Sequence, residues 1–191
     1  MKLKKYLFKS VTSTNDIAIK KIKKNISAGI IIAQKQTKGR GRYGNKWISM
    51  NKNLFMTVFF KLNPNISIRK LTLTSCSIVR KSILNFFKIN IKIKKPNDLL
   101  INRKKICGIL QEIIFYNNKK FAIIGIGINI NNSPNIINYP TTYLNFFAKK
   151  KILLKTSKAG ESDWLLLKWQ PKLMVDMWKL RAKRGKELLF L

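Results

Sequence analysis

The segment from Lys38 to Trp47 has the residue types of an anion-binding loop. It contains three glycines, which let the backbone take positive φ and lie close to a ligand. Between them stand Arg40 and Arg42, whose guanidinium groups pair with carboxylate or phosphate oxygens. The spacing matches neither Walker A nor the GxGxxG dinucleotide motif. We therefore predict a mobile anion-binding loop that ends at Trp47, with a solvated basic turn as the alternative.

Acidic residues are so scarce that their positions are informative. The first 155 residues contain only Asp16, Asp98 and Glu112, and each lies in or beside a stretch that other features mark as functional. Asp16 completes a Ser-x-x-Asp pattern with Ser13, which is typical of a helix N-terminal capping box. Its predicted role is therefore either in the first helical turn or in a site.

The hydrophobic pattern predicts the elements that must position these residues. A helical pattern runs from Ile66 to Phe87, and a shorter amphipathic run follows Asp16. Apolar or alternating runs predict strands over residues 29–34, 54–60, 89–93, 99–101, 106–115 and 121–130. The short turns between the later strands favour antiparallel pairing. We expect an α+β fold with a mixed, largely antiparallel sheet and helices on one face.

Length, apolar content and cysteine usage limit the class of protein. A chain of 191 residues with 46% hydrophobic residues can bury a proper core. No run approaches the length of a membrane span, and the N-terminus lacks the features of a signal peptide. Two distant cysteines do not make a disulfide framework. Together these features predict a cytoplasmic protein without a membrane partner.

The sequence contains no histidine, which narrows the chemistry available. Without histidine or clustered cysteines, a zinc site is not expected. Cys107 has no histidine to activate it, so we interpret it as a small core residue rather than a nucleophile.

The net charge of +33 has two interpretations. One is nucleic-acid binding through phosphate contacts. The other is a compositional bias toward Lys, Asn and Ile, because the lysines are scattered through every segment. We favour the second interpretation and expect only non-specific polyanion binding.

The composition changes near residue 156. Residues 156–191 contain no Ile and no Asn, yet they hold three of the four tryptophans and four of the seven acids. We divide the chain into a domain of residues 1–155 and a C-terminal helical tail of residues 156–191. A terminal helix pair, a shifted reading frame and a decayed end all remain open for this tail.

Five stretches in order carry a resemblance over residues 8–150. They are Ser13-Thr14-Asn15, Gly39-Arg40-Gly41-Arg42 with Trp47, Pro96-Asn97-Asp98, residues 105–112, and Gly125-Ile-Gly-Ile-Asn129. Together they resemble the catalytic domain of biotin protein ligases, the biotin–[acetyl-CoA-carboxylase] ligases. The resemblance implies the fold shared by biotin–lipoate ligases and class II aminoacyl-tRNA synthetases. It also implies that biotin and ATP, with Mg²⁺, form biotinyl-5′-AMP, and that biotin passes to a lysine of a biotin carboxyl carrier protein.

The same resemblance implies roles for individual residues. Biotin would be bound by Ser13, Thr14, Asn15, Gln36, Arg40, Gly41, Arg42 and Lys105. ATP would be bound by Arg40, Arg42, Trp47, Asp98 and Asn129, and Asp98 is the candidate to help hold Mg²⁺. Lys105 and Arg42 are the expected catalytic residues. A homodimer formed through the sheet is the expected assembly, and no N-terminal DNA-binding domain is expected.

The sequence departs from the family pattern at two places in the site. Lys95 stands where the family usually has Trp before Pro-Asn-Asp, and Asn45 follows Gly44 where a basic residue is common. Three alternatives to an active biotin ligase remain: a lipoate-type ligase, a basic nucleic-acid-binding protein without ligase activity, and a decayed enzyme that binds biotin but turns over poorly.

Overall fold

The computed structural model describes residues 3–62, 67–148, 155–156 and 162–163. In chain order the elements are β1 (Lys5–Val11), α1 (Thr14–Lys23), β2 (Ala28–Gln36), β3 (Leu54–Lys61), α2 (Ile68–Leu84), β4 (Lys92–Lys94), β5 (Asp98–Ile101), β6 (Lys104–Tyr116), β7 (Lys119–Ile128), β8 (Lys155–Thr156) and β9 (Ser162–Asp163). Two 3₁₀ turns, Arg42–Gly44 and Leu144–Phe146, lie between them.

Seven strands form one sheet in the order β1-β2-β3-β7-β6-β5-β4. Only β1 and β2 pair in parallel, because α1 carries the chain back between them; the other neighbours in this sheet are antiparallel. Tight turns with positive φ at Asn102, Arg103, Asn117 and Asn118 connect β5, β6 and β7. The predicted α+β class with a mixed, largely antiparallel sheet is confirmed.

The two helices pack on opposite faces of the sheet, so the prediction of helices on one face is wrong. Side chains of β3 alternate between two cores: Met56 and Val58 pack with residues of α2, whereas Phe59 packs with Ala18 and Ile22 of α1. Because successive side chains of a strand point to opposite faces, both faces of the central strands are covered.

Most predicted elements differ from the observed ones by one or two residues at an end, but two differ more. Helix α2 ends at Leu84 rather than Phe87; the amides of Phe86 and Phe87 both bond to the Ile83 carbonyl in a final turn. The strand expected over residues 89–93 is limited to Lys92–Lys94. Ile91 is nevertheless buried, so the alternation correctly indicated an inward-facing side chain.

The C-terminal tail is described only at β8 and β9, which pair antiparallel through Lys155 with Asp163 and Thr156 with Ser162. The rest of the expected tail of residues 156–191, including any helix pair, lies outside the described residues. Across the described ranges, no helix has the length and apolar character needed to cross a membrane.

Candidate active site

A cavity of about 620 Å³ opens on the face of the sheet that carries α1. Its walls come from the start of α1, the glycine-arginine loop, the turn before β5, strands β6 and β7, and the segment after β7. The wall includes ten of the predicted site residues: Ser13, Thr14, Asn15, Gln36, Arg40, Gly41, Arg42, Trp47, Asp98 and Lys105. Residues from Ser13 to Lys105 therefore converge on one cavity, as the prediction requires.

One side of the cavity is a buried group of polar side chains at the start of α1. The Thr14 amide donates to Gln36 Oε1 at 2.8 Å, and its hydroxyl lies 3.0 Å from the same oxygen. Thr57, fully buried on β3, donates to Asn15 Oδ1 at 2.6 Å and lies 2.8 Å from the Thr14 hydroxyl. This network fixes an amide and hydroxyls in the cavity wall, and a few fixed polar groups of this kind can orient a small polar ligand.

A second network joins this group to the loop. Glu112 on β6 accepts from Asn15 Nδ2 at 2.5 Å and from Arg40 Nη2, which lies 3.0 Å from each of its carboxylate oxygens. Arg40 Nη2 also lies 2.9 Å from Asp16 Oδ1. The Ser13 side chain makes no capping hydrogen bond, so the predicted capping box is not formed. Asp16, in the first turn of α1, instead pairs with Arg40 of the loop.

The loop itself is a narrow hairpin that rests on the sheet. The Trp47 amide donates to Gly39 O at 2.9 Å, and the Gly41 amide donates to Asn45 O at 2.7 Å. The Trp47 ring lies against Gly108 and Gly127; a Cβ on either would stand 2.5–2.6 Å from ring atoms. These two glycines leave the space that the indole needs. At the exposed tip, the Arg42 guanidinium stacks on Tyr43 and donates to its hydroxyl at 2.8 Å.

The opposite side of the cavity holds a charged group centred on Lys105. Its Nζ lies 2.8 Å from Asp98 Oδ1, and both side chains are mostly buried. Tyr139 donates its hydroxyl proton to Asp98 Oδ2 at 2.5 Å. Burial raises the pKa of the Tyr139 hydroxyl above its usual range, and the hydrogen bond to Asp98 and the charge of that carboxylate act in the same direction. The ion pair with Asp98 thus holds the ammonium of Lys105 at a fixed position in the cavity wall.

Asn129 is the one predicted site residue that the structure does not place in the cavity wall. Its side chain is buried, and Nδ2 donates to Thr142 O at 3.2 Å. Its Oδ1 is also buried and has no hydrogen-bond partner within the described residues. The side chain points into the interior because β7 has ended at Ile128 and the chain turns toward residues 142–145. A direct contact of Asn129 with ATP is therefore not supported by this geometry.

The two cysteines have the character of core residues. Both are buried and free. Burial, with the nearby Asp98 charge, raises the pKa of the Cys76 thiol to about 12, and burial raises the pKa of Cys107 well above its ordinary value. Neither thiol supplies a thiolate near neutral pH. In the described part of the chain, no three acidic or cysteine side chains group as a metal site.

Sequence reasoning missed two residues that contribute directly to the site. Thr57 lies in an apolar strand pattern, where a single polar residue at a buried position was the available signal. Tyr139 lies in a segment without periodicity, and no local signal places it beside Asp98. Glu112 was indicated by the scarcity of acids and by its place in the stretch of residues 105–112.

Comparisons with known proteins show which family this chain is similar to. Residues 7–129 match the model of the biotin/lipoate A/B protein ligase family. The chain is 39% identical over 131 residues to the bifunctional ligase/repressor BirA of Bacillus subtilis, covering 65% of this chain and 40% of that protein. It is 26% identical over 127 residues to the biotin–[acetyl-CoA-carboxylase] ligase of Mycobacterium tuberculosis, covering 63% of this chain and 46% of that protein.

A solved structure is similar over a larger share of the chain. The biotin protein ligase of Aquifex aeolicus in complex with biotin and ATP superposes with a TM-score of 0.73 at 29% identity, covering 95% of this chain and 72% of the other. The curated relatives named here are longer, so the chain spans less than half of their length. Matched over well over half of its residues, the chain belongs to the biotin/lipoate A/B protein ligase family.

Proposed function

We propose that this chain is a biotin protein ligase that activates biotin with ATP and transfers it to a lysine of the biotin carboxyl carrier protein of acetyl-CoA carboxylase. The observation that carries the proposal is the pairing, across one cavity, of a buried amide and hydroxyl group at Thr14 and Asn15 with the ammonium of Lys105. The first suits the ureido ring of biotin, and the second suits its carboxylate.

In the first step, a biotin carboxylate oxygen attacks the α-phosphorus of ATP. A P–O bond forms to the acyl oxygen, the bond to the β-phosphate oxygen breaks, and pyrophosphate leaves with the electron pair. Lys105 would hold the carboxylate and stabilise charge at the acyl phosphate. Arg40 and Arg42, which line the same cavity, would stabilise phosphate oxygens.

In the second step, the neutral amine of the carrier lysine attacks the acyl carbon of biotinyl-5′-AMP. The C–O bond to the phosphate breaks, AMP leaves, and the amine loses a proton to solvent. The hairpin of the loop, which rests on β6 and β7 through Trp47, would cover the mixed anhydride and exclude water.

Mg²⁺ would accompany ATP in this proposal. Among the residues that the structure describes, Asp98 is the only carboxylate in the cavity wall, and its oxygens already face Lys105 and Tyr139. Mg²⁺ commonly binds through phosphates, waters and one or two carboxylates. The cavity therefore fits an ion that is held mainly by the triphosphate, with Asp98 as its protein ligand. Its chemistry there would be to neutralise charge on the phosphates.

The polar network favours biotin over lipoate. A ureido ring presents two N–H donors and a carbonyl acceptor, which matches the amide and hydroxyl groups of Ser13, Thr14 and Asn15. A dithiolane ring has neither N–H donors nor a carbonyl acceptor, so it would gain none of these hydrogen bonds. We therefore expect excess lipoate to compete weakly for the cavity.

The deciding experiment is labelling of a purified biotin carboxyl carrier protein, with ATP or biotin omitted in turn. Lys105→Ala should lower adenylation roughly 10²–10³-fold, the usual cost of one preorganised charge-stabilising donor. Lys104→Ala removes a neighbouring exposed lysine and serves as the matched control.

Biotinyl-5′-AMP should be measured in the same reactions. Intermediate without transfer would place the defect in carrier binding, whereas neither step in the parent protein would contradict the proposal. Adenylation by Lys105→Ala at the parent rate would contradict the role of Lys105.

A further inference from the structure

We propose that Tyr139 is a positioning residue that holds the Lys105–Asp98 pair in the geometry needed for adenylation. The inference rests on the proposed function and adds a residue to it. Tyr139 belongs to the segment that follows β7 and lies outside the sequence motifs that build the rest of the cavity.

The backbone fixes Tyr139 relative to Lys105. The Lys105 amide donates to Pro140 O at 2.8 Å, and the Thr142 amide donates to Lys105 O at 2.9 Å. Lys105 and Thr141 form a parallel bridge between them. The segment of residues 140–142 thus lies along the first residues of β6, and any shift of this segment moves Tyr139 and Lys105 together.

The two oxygens of the Asp98 carboxylate have different partners, and Tyr139 bonds to one of them. Oδ2 accepts from Tyr139 at 2.5 Å, and Oδ1 lies 2.8 Å from Lys105 Nζ. A carboxylate held at one oxygen by a phenol cannot rotate freely, so its other oxygen stays at one place. The ammonium that pairs with that oxygen is then fixed as well, which is how supporting hydrogen bonds preorganise a charged group.

The ring of Tyr139 contributes a second contact. Lys105 Nζ lies 5.2 Å from the Tyr139 ring centroid and 5.4 Å from that of Trp47, so the ammonium is flanked by two aromatic rings. Lys94 Nζ lies 4.3 Å from the Tyr139 ring. Cations within about 6 Å of an aromatic ring are attracted to it. The hydroxyl and the ring can be separated, because Tyr139→Phe removes only the hydroxyl.

The first test compares Tyr139→Phe with the matched control Tyr143→Phe. Tyr143 lies in the same segment but is not part of the cavity wall. We expect Tyr139→Phe to lower kcat for biotinyl-5′-AMP formation about tenfold, the scale for losing a hydrogen bond to a charged group. KM for biotin should change less than threefold, and Tyr143→Phe should match the parent. An equal loss in both variants, or none in Tyr139→Phe, would overturn the proposal.

A double-mutant cycle separates positioning from packing. In an Asp98→Ala background, Tyr139→Phe should cause no further loss of adenylation, because the hydroxyl acts through that carboxylate. A merely structural role would give the same tenfold loss in both backgrounds and would contradict the inference.

A measurement that does not depend on catalysis tests the role of Tyr139 separately from the proposed ligase activity. Reaction of lysines with a trace amine-acylating reagent, read by peptide mass spectrometry, reports how accessible the neutral amine of each lysine is to the reagent. We expect Tyr139→Phe to raise the labelling of Lys105 at least threefold relative to Lys104. An inactive parent with this change would overturn only the ligase proposal, whereas unchanged labelling would overturn the role of Tyr139.

Discussion

The indole ring of Trp47 occupies the space in which any residue larger than glycine at position 127 would carry its Cβ. That Cβ would stand 2.5 Å from Cε2 and Cζ2 of the ring. Contact at this distance forces the indole, and the loop that it anchors, off the sheet.

Gly127→Ala should therefore weaken biotin binding at least tenfold and lower the free energy of unfolding by about 1–3 kcal/mol, as overpacked cores do. Calorimetric titration with biotin and urea unfolding measure the two effects. In a Trp47→Ala background the same change should be nearly neutral for stability. Losses that simply add would show that the ring is not the cause.

Thr57→Val tests the buried polar network. Valine keeps the shape but removes the hydroxyl that donates to Asn15 Oδ1, leaving a buried acceptor without its partner. We expect a loss of about 1–3 kcal/mol in unfolding free energy and weaker biotin binding. Thr37→Val is the control, because Thr37 is exposed and its hydroxyl makes only a 3.4 Å contact with Val11 O. Equal effects of both changes would contradict the network.

Glu112→Gln tests the connection between the loop and the pocket. The side chains of Arg40 and Glu112 are 42% and 30% exposed, so their pairing should change stability by less than about 1 kcal/mol. Loss of the carboxylate should nevertheless free the loop and disturb Asn15. We expect faster tryptic cleavage after Arg40 and Arg42, together with biotin binding weakened several-fold.

Asp16→Asn is the control for Glu112→Gln, because it removes the other carboxylate that pairs with Arg40. Asp16 pairs with Arg40 but makes no bond to Asn15 among the described contacts. It should speed tryptic cleavage of the loop and leave biotin affinity near the parent value. If both substitutions weakened biotin binding equally, Glu112 would not be the connecting residue.

The buried thiols predict a pH dependence of stability. Above the ordinary thiol pKa of 9.0 the unfolded chain loses its thiol protons, whereas Cys76 keeps its proton in the folded state until about pH 12. Its contribution is full below pH 9 and is lost progressively between about pH 9 and 12. At pH 8 a disulfide reagent should therefore modify Cys76 and Cys107 only as fast as the protein unfolds. Rapid reaction of the native protein would contradict this.

The net charge predicts polyanion binding without sequence readout. Binding to short DNA duplexes should be measurable at low salt and fall steeply, and linearly in log–log form, as salt rises. Scrambled duplexes should bind equally well. A sequence preference that survives physiological salt would favour the nucleic-acid-binding alternative.

Local patterns predicted β2, β3, β5, β6 and β7 well because the apolar run of each is ended by local turn residues, whereas β1 was not predicted. The strand expected over residues 54–60 is Leu54–Lys61, and the turns at residues 102–103 and 117–118 fall where predicted. The sequence does carry a signal that both faces of the sheet are covered. Residues 54–60 are apolar at every position except Thr57, and such a run is typical of a strand covered on both faces.

Site residues that stand within a sequence motif were predictable. Residues that reach the site through contacts between distant segments were not. Arg40, Asp98 and Lys105 stand in recognisable stretches, and all three line the cavity. Asn129 also stands in such a stretch, but the direction of its side chain depends on how the chain turns after β7. Tyr139 reaches the site only through tertiary backbone bonds to Lys105, which no local pattern encodes.

The positions of the cavity residues along the chain determine when the cavity can form during translation. Its walls begin at Ser13 and end at Tyr139, and the central strand β7 is among the last elements of the sheet to leave the ribosome. One edge of β3 pairs with β2, and its other edge can pair only after β7 has been synthesised. A nascent chain that stops short of residue 139 thus has no complete cavity. We expect ligand-assisted folding to begin only after residue 139 has left the ribosome.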